Sequence, residues 1–180
     1  MTPDPTRTPH AALEVIDFHV HFPIENTLGL AAPSAPRHAL LGRYADDRGR
    51  RMQAEWSMLP AEPVAKTDAE AEALLRRWTQ EISRYGLRSV NFVTGQGNER
   101  LARLIAEHPG TFTGFAHHRL EPGAEVALRR AVDELGLKGY KLIAPLTDYP
   151  FELPELRPVW EFCAERALPV LIHFGWLGRG

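Results

Sequence analysis

Residues 15–22 read VIDFHVHF, and the folding of this stretch decides how the rest of the chain is read. As a β-strand it sends successive side chains to opposite faces, so His19 and His21 point the same way, with Asp17 below them. The opposite parity is wholly apolar. Two imidazoles at i and i+2 converge on one point above a sheet, as a metal ion requires. A pair of ordinary hydrogen-bonded histidines is the plainer alternative. An apolar reverse face argues against a half-exposed strand, and Asp17 is placed to orient one imidazole from behind.

Outward from this strand, residues 23–66 form a long irregular stretch with prolines at 33, 36, 60 and 63. A loop of that length in a compact domain is usually functional, and it leaves the strand that carries both histidines. It is expected to lie over the mouth of the fold as a lid, with Met52, Trp56 and Met58 toward the pocket. A regular rhythm follows. TDAEAEALLRRWTQEISRYG carries a capping box (Thr67 with Glu70), an apolar stripe and Gly86 as its stop, which predicts a helix. SVNFVTG predicts a strand, and NERLARLIAEHPG a helix capped by Asn98. FTGFAHHR reads as a strand, PGAEVALRRAVDELG as a helix, GYKLIAP as a strand, LPELRPVWEFCAERA as a helix and LPVLIHFG as a fifth strand.

Strict alternation of strands with helices of this size signals a parallel α/β architecture. A doubly wound sheet would normally carry a glycine-rich turn after its first strand, and HFPIENTLGL has no G-x-G-x-x-G. A (β/α)₈ barrel places its chemistry at the carboxyl ends of the strands, where His19, His21, His118, Lys141 and His173 fall.

Composition narrows the class. The 180 residues are 44% hydrophobic and 24% charged with a net charge of −2, an ordinary globular balance with no basic run for nucleic acid. MTPDPTRTPH lacks the apolar core of a signal peptide, so residues 1–12 read as a flexible tail before a single domain over 13–180. No stretch approaches the ~20 apolar residues of a membrane span. One cysteine excludes an internal disulfide framework and fits a reducing cytoplasm; Cys163 sits at helical spacing with core residues. The expected partners are a small-molecule substrate and a second copy of the chain, with no nucleic acid and no membrane.

His173 closes the Val-Leu-Ile run of the fifth strand, where strand preference does not explain it. With His19 and His21 it makes three imidazoles at strand ends, and three protein ligands plus water describe a catalytic zinc site. VIDFHVHF, GTFTGFAHHRLEPGAEVALRRAVDELGLKGYKLIAP and LPVLIHFG together resemble the amidohydrolase superfamily. The resemblance is greatest to its amidohydrolase-related branch, which also contains aminocarboxymuconate-semialdehyde decarboxylase-like enzymes. It covers most of residues 14–177 apart from the long loop.

The resemblance implies a distorted (β/α)₈ barrel of the TIM type, of which this chain holds about the first five β/α units. It implies a divalent metal, with Zn²⁺ expected, held by His19, His21 and His173. Hydrolysis of a small carboxylated or cyclic substrate is the broader expectation; non-oxidative decarboxylation and a truncated, non-catalytic remnant are the alternatives. The family's histidine after the sixth strand and aspartate after the eighth find no counterpart here. The catalytic groups are therefore expected beyond Gly180, in a longer enzyme of which this is the N-terminal part.

Lys141 keeps three readings: a carboxylated lysine bridging two metals, a contact to a substrate carboxylate, or a structural lysine. The single metal usual in this branch argues against the first. His118 is a candidate substrate contact, as are Trp176 and Arg179 after the ligand strand, where a solvated loop is the alternative. Arg119 has no decided role.

Overall fold

The computed structural model describes residues 14–24 and 65–174, together with Arg43, Asp47 and Arg51. The predicted alternation holds: β1 (Val15–His21), α1 (Asp68–Tyr85), β2 (Leu87–Thr94), α2 (Asn98–Ala106), β3 (Phe112–Gly114), α3 (Ala124–Arg129), β4 (Tyr140–Ile143), α4 (Arg157–Glu165) and β5 (Val170–His173). β1, β2 and β3 pair in parallel, as do β4 and β5. A parallel bridge between Ala116 and Tyr140 joins the two sets, so the strands follow one another in chain order. This is the wall of a barrel, with helices on one side of the strands.

α1 forms as its ends predict. The Thr67 hydroxyl accepts from the backbone N–H of Glu70, and the Glu70 carboxylate accepts from the N–H groups of Thr67 and Lys66. Gly86 closes the helix at φ 67°, a left-handed turn that favours glycine. Three elements depart from the sequence expectation. α2 is capped by Gly97 without a side-chain bond, because Asn98 spends its amide elsewhere. β3 stops at Gly114, since its continuation turns to bond the neighbouring loop through His117. α3 passes into a π-helical turn over Arg130–Glu134.

The core lies between the strands and the helices. Phe22, Val90, Phe92, Phe112, Tyr140 and Leu142 from the sheet meet Leu75, Leu101, Leu128 and Phe162 from the helices, all buried. The inner face is tighter at one point than any apolar pattern reveals. A Cβ on Gly139 would stand 2.4 Å from Cζ of Phe115. Gly139→Ala should therefore destabilise the protein by about 1–3 kcal/mol through overpacking, read from the urea midpoint. Adding Phe115→Leu should recover part of that loss, and an unchanged midpoint in Gly139→Ala would show that the contact yields freely.

Only the ends of the 23–66 segment are described as connected structure. Ile24 and Ala65 are buried, form a parallel bridge, and Ala65 donates to the carbonyl of Pro23 at 2.8 Å. The expected lid residues Met52, Trp56 and Met58 lie outside the described residues. No helix among the described residues is long and apolar enough to cross a membrane.

Candidate metal centre at the strand ends

β1 does not keep a regular pleat. Asp17 pairs with Val90 and Val20 with Phe92, so β1 advances three residues while β2 advances two. A bulge of this kind reverses the parity of whatever follows it. Asp17 consequently lines a cavity of about 300 Å³ against α1, beside Leu74, Arg77, Trp78 and Glu81. Its carboxylate meets the backbone N–H of His19 at 3.4 Å, not an imidazole. The expectation that Asp17 shares the histidines' face is corrected by this one extra residue.

His19 and His21 stand together with ring centroids 5.3 Å apart. Two imidazoles binding one ion at about 2.1 Å, each ring centre roughly 1.2 Å behind its nitrogen, have centroids about 5.4 Å apart at a tetrahedral angle. Nδ1 of His21 lies 2.9 Å from Oγ1 of Thr94. That contact occupies one ring nitrogen and leaves Nε2 for a ligand. Desolvation pushes the His21 pKa down to about 4, with the charges of His19, Lys141, His173 and His117 adding to it. His19 is lowered in the same way, by desolvation first and then by Lys141 and His173, against a smaller opposing effect of Asp17. Both rings are neutral at pH 7, the form a metal needs.

β5 pairs with β4 so that Ile143 faces His173 and Lys141 faces Leu171. Val170 and Ile172 pack on the core, which puts Lys141, Ile143 and His173 on the opposite, inner side. Nε2 of His173 is buried and, among the described residues, has no hydrogen-bond partner. A buried polar atom left unsatisfied costs about 1–3 kcal/mol, which a water or an ion at that nitrogen would relieve. Among the described residues, however, no three His, Cys, Asp or Glu side chains are gathered closely enough to hold a metal as they stand. Two imidazoles are paired and the third waits on the same side of the wall. By donor chemistry, neutral charge and the orphaned nitrogen, this set fits a divalent ion.

Lys141 is 2% exposed, and among the described residues its ammonium makes no ion pair. Burial lowers its pKa. With Asp17 turned away, the described face presents imidazoles and an ammonium and no carboxylate, so it favours an anion.

His117 and His118 serve a different purpose. Nε2 of His117 accepts from the N–H groups of Gly95 (3.1 Å) and Gly97 (2.9 Å), which forces the ring proton onto Nδ1, where it donates to the carbonyl of Phe115. Asn98 accepts the backbone N–H of His117 at 2.8 Å and contacts Nδ1 of His118, whose Nε2 meets the carbonyl of Ala124. The His118 ring also stacks on Tyr140, with centroids 4.7 Å apart. Both nitrogens of His118 are spent within the fold, so the expected substrate contact is replaced by a clamp between the loops after β2 and β3. Trp176 and Arg179 lie outside the described residues. The sequence reading missed Thr94 altogether; its place as the last residue of a strand beside the H-x-H strand was the available signal.

A family model described as an amidohydrolase matches residues 16–179. Among solved structures, the chain is similar to 5-carboxyvanillate decarboxylase from Novosphingobium aromaticivorans, solved with manganese. The TM-score is 0.56 at 16% identity, covering 96% of this chain and 53% of that one. It is similar to 4-oxalomesaconate hydratase LigJ from Rhodopseudomonas palustris, with TM-score 0.52 at 19% identity, over 88% and 52% of the two chains. A third similarity is to an enzyme from Acinetobacter baumannii described as a probable 2-pyrone-4,6-dicarboxylic acid hydrolase, with citric acid bound. There the TM-score is 0.55 at 12% identity, over 89% and 49% of the two chains. No curated protein sequence was matched. The chain spans about half the length of these structures. At such identities the likeness shows the fold, a TIM barrel of which the described residues build five strands.

Proposed function

Because the chain belongs to the amidohydrolase family, we propose that it carries the metal-binding half of a metal-dependent hydrolase acting on a small carboxylated or cyclic substrate. The observation that carries the proposal is the orphaned Nε2 of His173 on the same inner face as the His19–His21 pair. His19, His21 and His173 would hold a divalent ion, with Zn²⁺ expected. Such an ion would supply Lewis-acid chemistry, polarising a carbonyl or carboxylate and acidifying a water. Thr94 holds one nitrogen of His21, and Lys141 offers its side-chain amino group to a substrate carboxylate. The clamp of Asn98, His117 and His118 joins the loops after β2 and β3, next to the strand that carries Lys141. Proton transfer in the reaction is assigned to groups outside the described residues.

The same donors can serve non-oxidative decarboxylation, and Lys141, without an ion pair among the described residues, favours a carboxylated substrate under either chemistry. The test is a panel of small carboxylates and lactones with the complete protein, its metal content measured and its products analysed for released CO₂ and for incorporated solvent oxygen. Lack of any bound divalent metal in the complete protein would sink the reading.

Lys141 yields its own prediction. Burial disfavours the charged form of Lys141, which has no ion-pair partner among the described residues, so Lys141→Met should raise the melting temperature. The same change should raise KM for the carboxylated substrate by on the order of 10–100-fold, the worth of a charge-assisted hydrogen bond. A structural lysine would give the opposite pair of results, a lower melting temperature and an unaltered KM.

A further inference from the structure

The geometry points to Thr94 as a positioning residue that selects Nε2 of His21 as the metal-facing nitrogen. Thr94 is the last residue of β2, is fully buried and lies opposite His21 in the strand register. Its backbone is held from two directions, and its hydroxyl reaches His21. Its carbonyl accepts the N–H of Phe22 at 3.2 Å, its hydroxyl lies 2.9 Å from Nδ1 of His21, and the N–H of the next residue, Gly95, is bound by His117. Thr94 therefore cannot follow a swinging imidazole; the imidazole must conform to Thr94. When Nδ1–H donates to the hydroxyl oxygen, the lone pair of Nε2 is left for the ion. Hydrogen bonding of the distal nitrogen in this way fixes tautomer and ring direction and raises ligand basicity.

This inference rests on the metal reading above, and the two fail separately. Metal-free complete protein is titrated calorimetrically with Mn²⁺ and with Zn²⁺, as wild type, Thr94→Val and Thr94→Ser. Valine keeps the shape and removes the oxygen, so affinity should fall about 10–100-fold; serine restores the oxygen and should restore affinity. Rescue by serine is a result that mere packing would not produce. In parallel, ¹⁵N long-range NMR of the wild-type protein should find His21 protonated on Nδ1, with Nε2 perturbed by Zn²⁺. That measurement needs no variant and decides the matter even if Thr94→Val fails to fold. Equal affinity of wild type and Thr94→Val, or a metal on Nδ1 of His21, overturns the positioning role while leaving the metal site intact. A wild-type protein that binds neither ion overturns the metal reading itself.

Discussion

His173→Ala in the complete protein is expected to remove its divalent metal and to lower kcat/KM by on the order of 10³-fold or more. A Lewis acid supplies several kcal/mol of transition-state stabilisation, and each 1.36 kcal/mol is about a factor of ten. The fold should survive. His173 ends an edge strand of the described sheet, its neighbours Val170 and Ile172 carry the core contacts, and its Nε2 makes no bond that alanine could break. The variant should even shed the cost of an unsatisfied buried nitrogen. Metal content by mass spectrometry, the melting temperature of the metal-free forms and kcat/KM together check this. Full metal occupancy with activity near that of wild type would remove His173 from the site.

Acid should loosen the protein through His117. Its folded pKa is pushed down to about 4, chiefly by desolvation, with His118 adding to the depression and with the Phe115 carbonyl and Glu99 opposing it. An unfolded histidine titrates near 6.5, so between these values the unfolded state binds more protons than the folded one. The stabilisation is complete above pH about 6.5 and is lost as pH falls toward about 4. The gap between these values is worth about 3 kcal/mol, a large part of the usual 5–15 kcal/mol of a domain. His19, His21 and His118 are lowered as well and contribute in the same direction. The His117 share is therefore read by difference. His117→Gln retains an acceptor for Gly95 and Gly97 but does not titrate, so its urea midpoint should fall less between pH 7 and pH 4. Parallel midpoints for the two proteins across that range would refute the assignment.

The order of strands and helices was legible because period-2 and period-3.6 patterns alternate cleanly after residue 67, and because Thr67, Glu70 and Gly86 mark α1 by local chemistry alone. The placement of His173 on the inner face was legible for the same reason: β5 is short and regular. Asp17 was misread because strict alternation assumes an unbroken pleat, and a bulge depends on the partner strand, which no single segment records. Asn98 was misread because a residue that suits a helix cap also suits a loop staple; the choice was made by His117 and His118, about twenty residues away. The role of Thr94 depends on a neighbour 73 positions distant, and no local spacing carries that.

The Ile24–Ala65 bridge gives the barrel wall a fixed pair of sockets. Both residues are buried, and Ala65 donates to the carbonyl of Pro23, so the two ends of the intervening passage are held side by side just past β1. When junctions are fixed, doubling the intervening length changes the closure free energy by only about 0.6 kcal/mol. Natural variation can thus lengthen, shorten or exchange that passage as a cassette, and the histidines a few residues upstream keep their register throughout. A laboratory insertion between Ile24 and Ala65 is therefore expected to leave the strand that ends at His21, three residues upstream of the first junction, in its register.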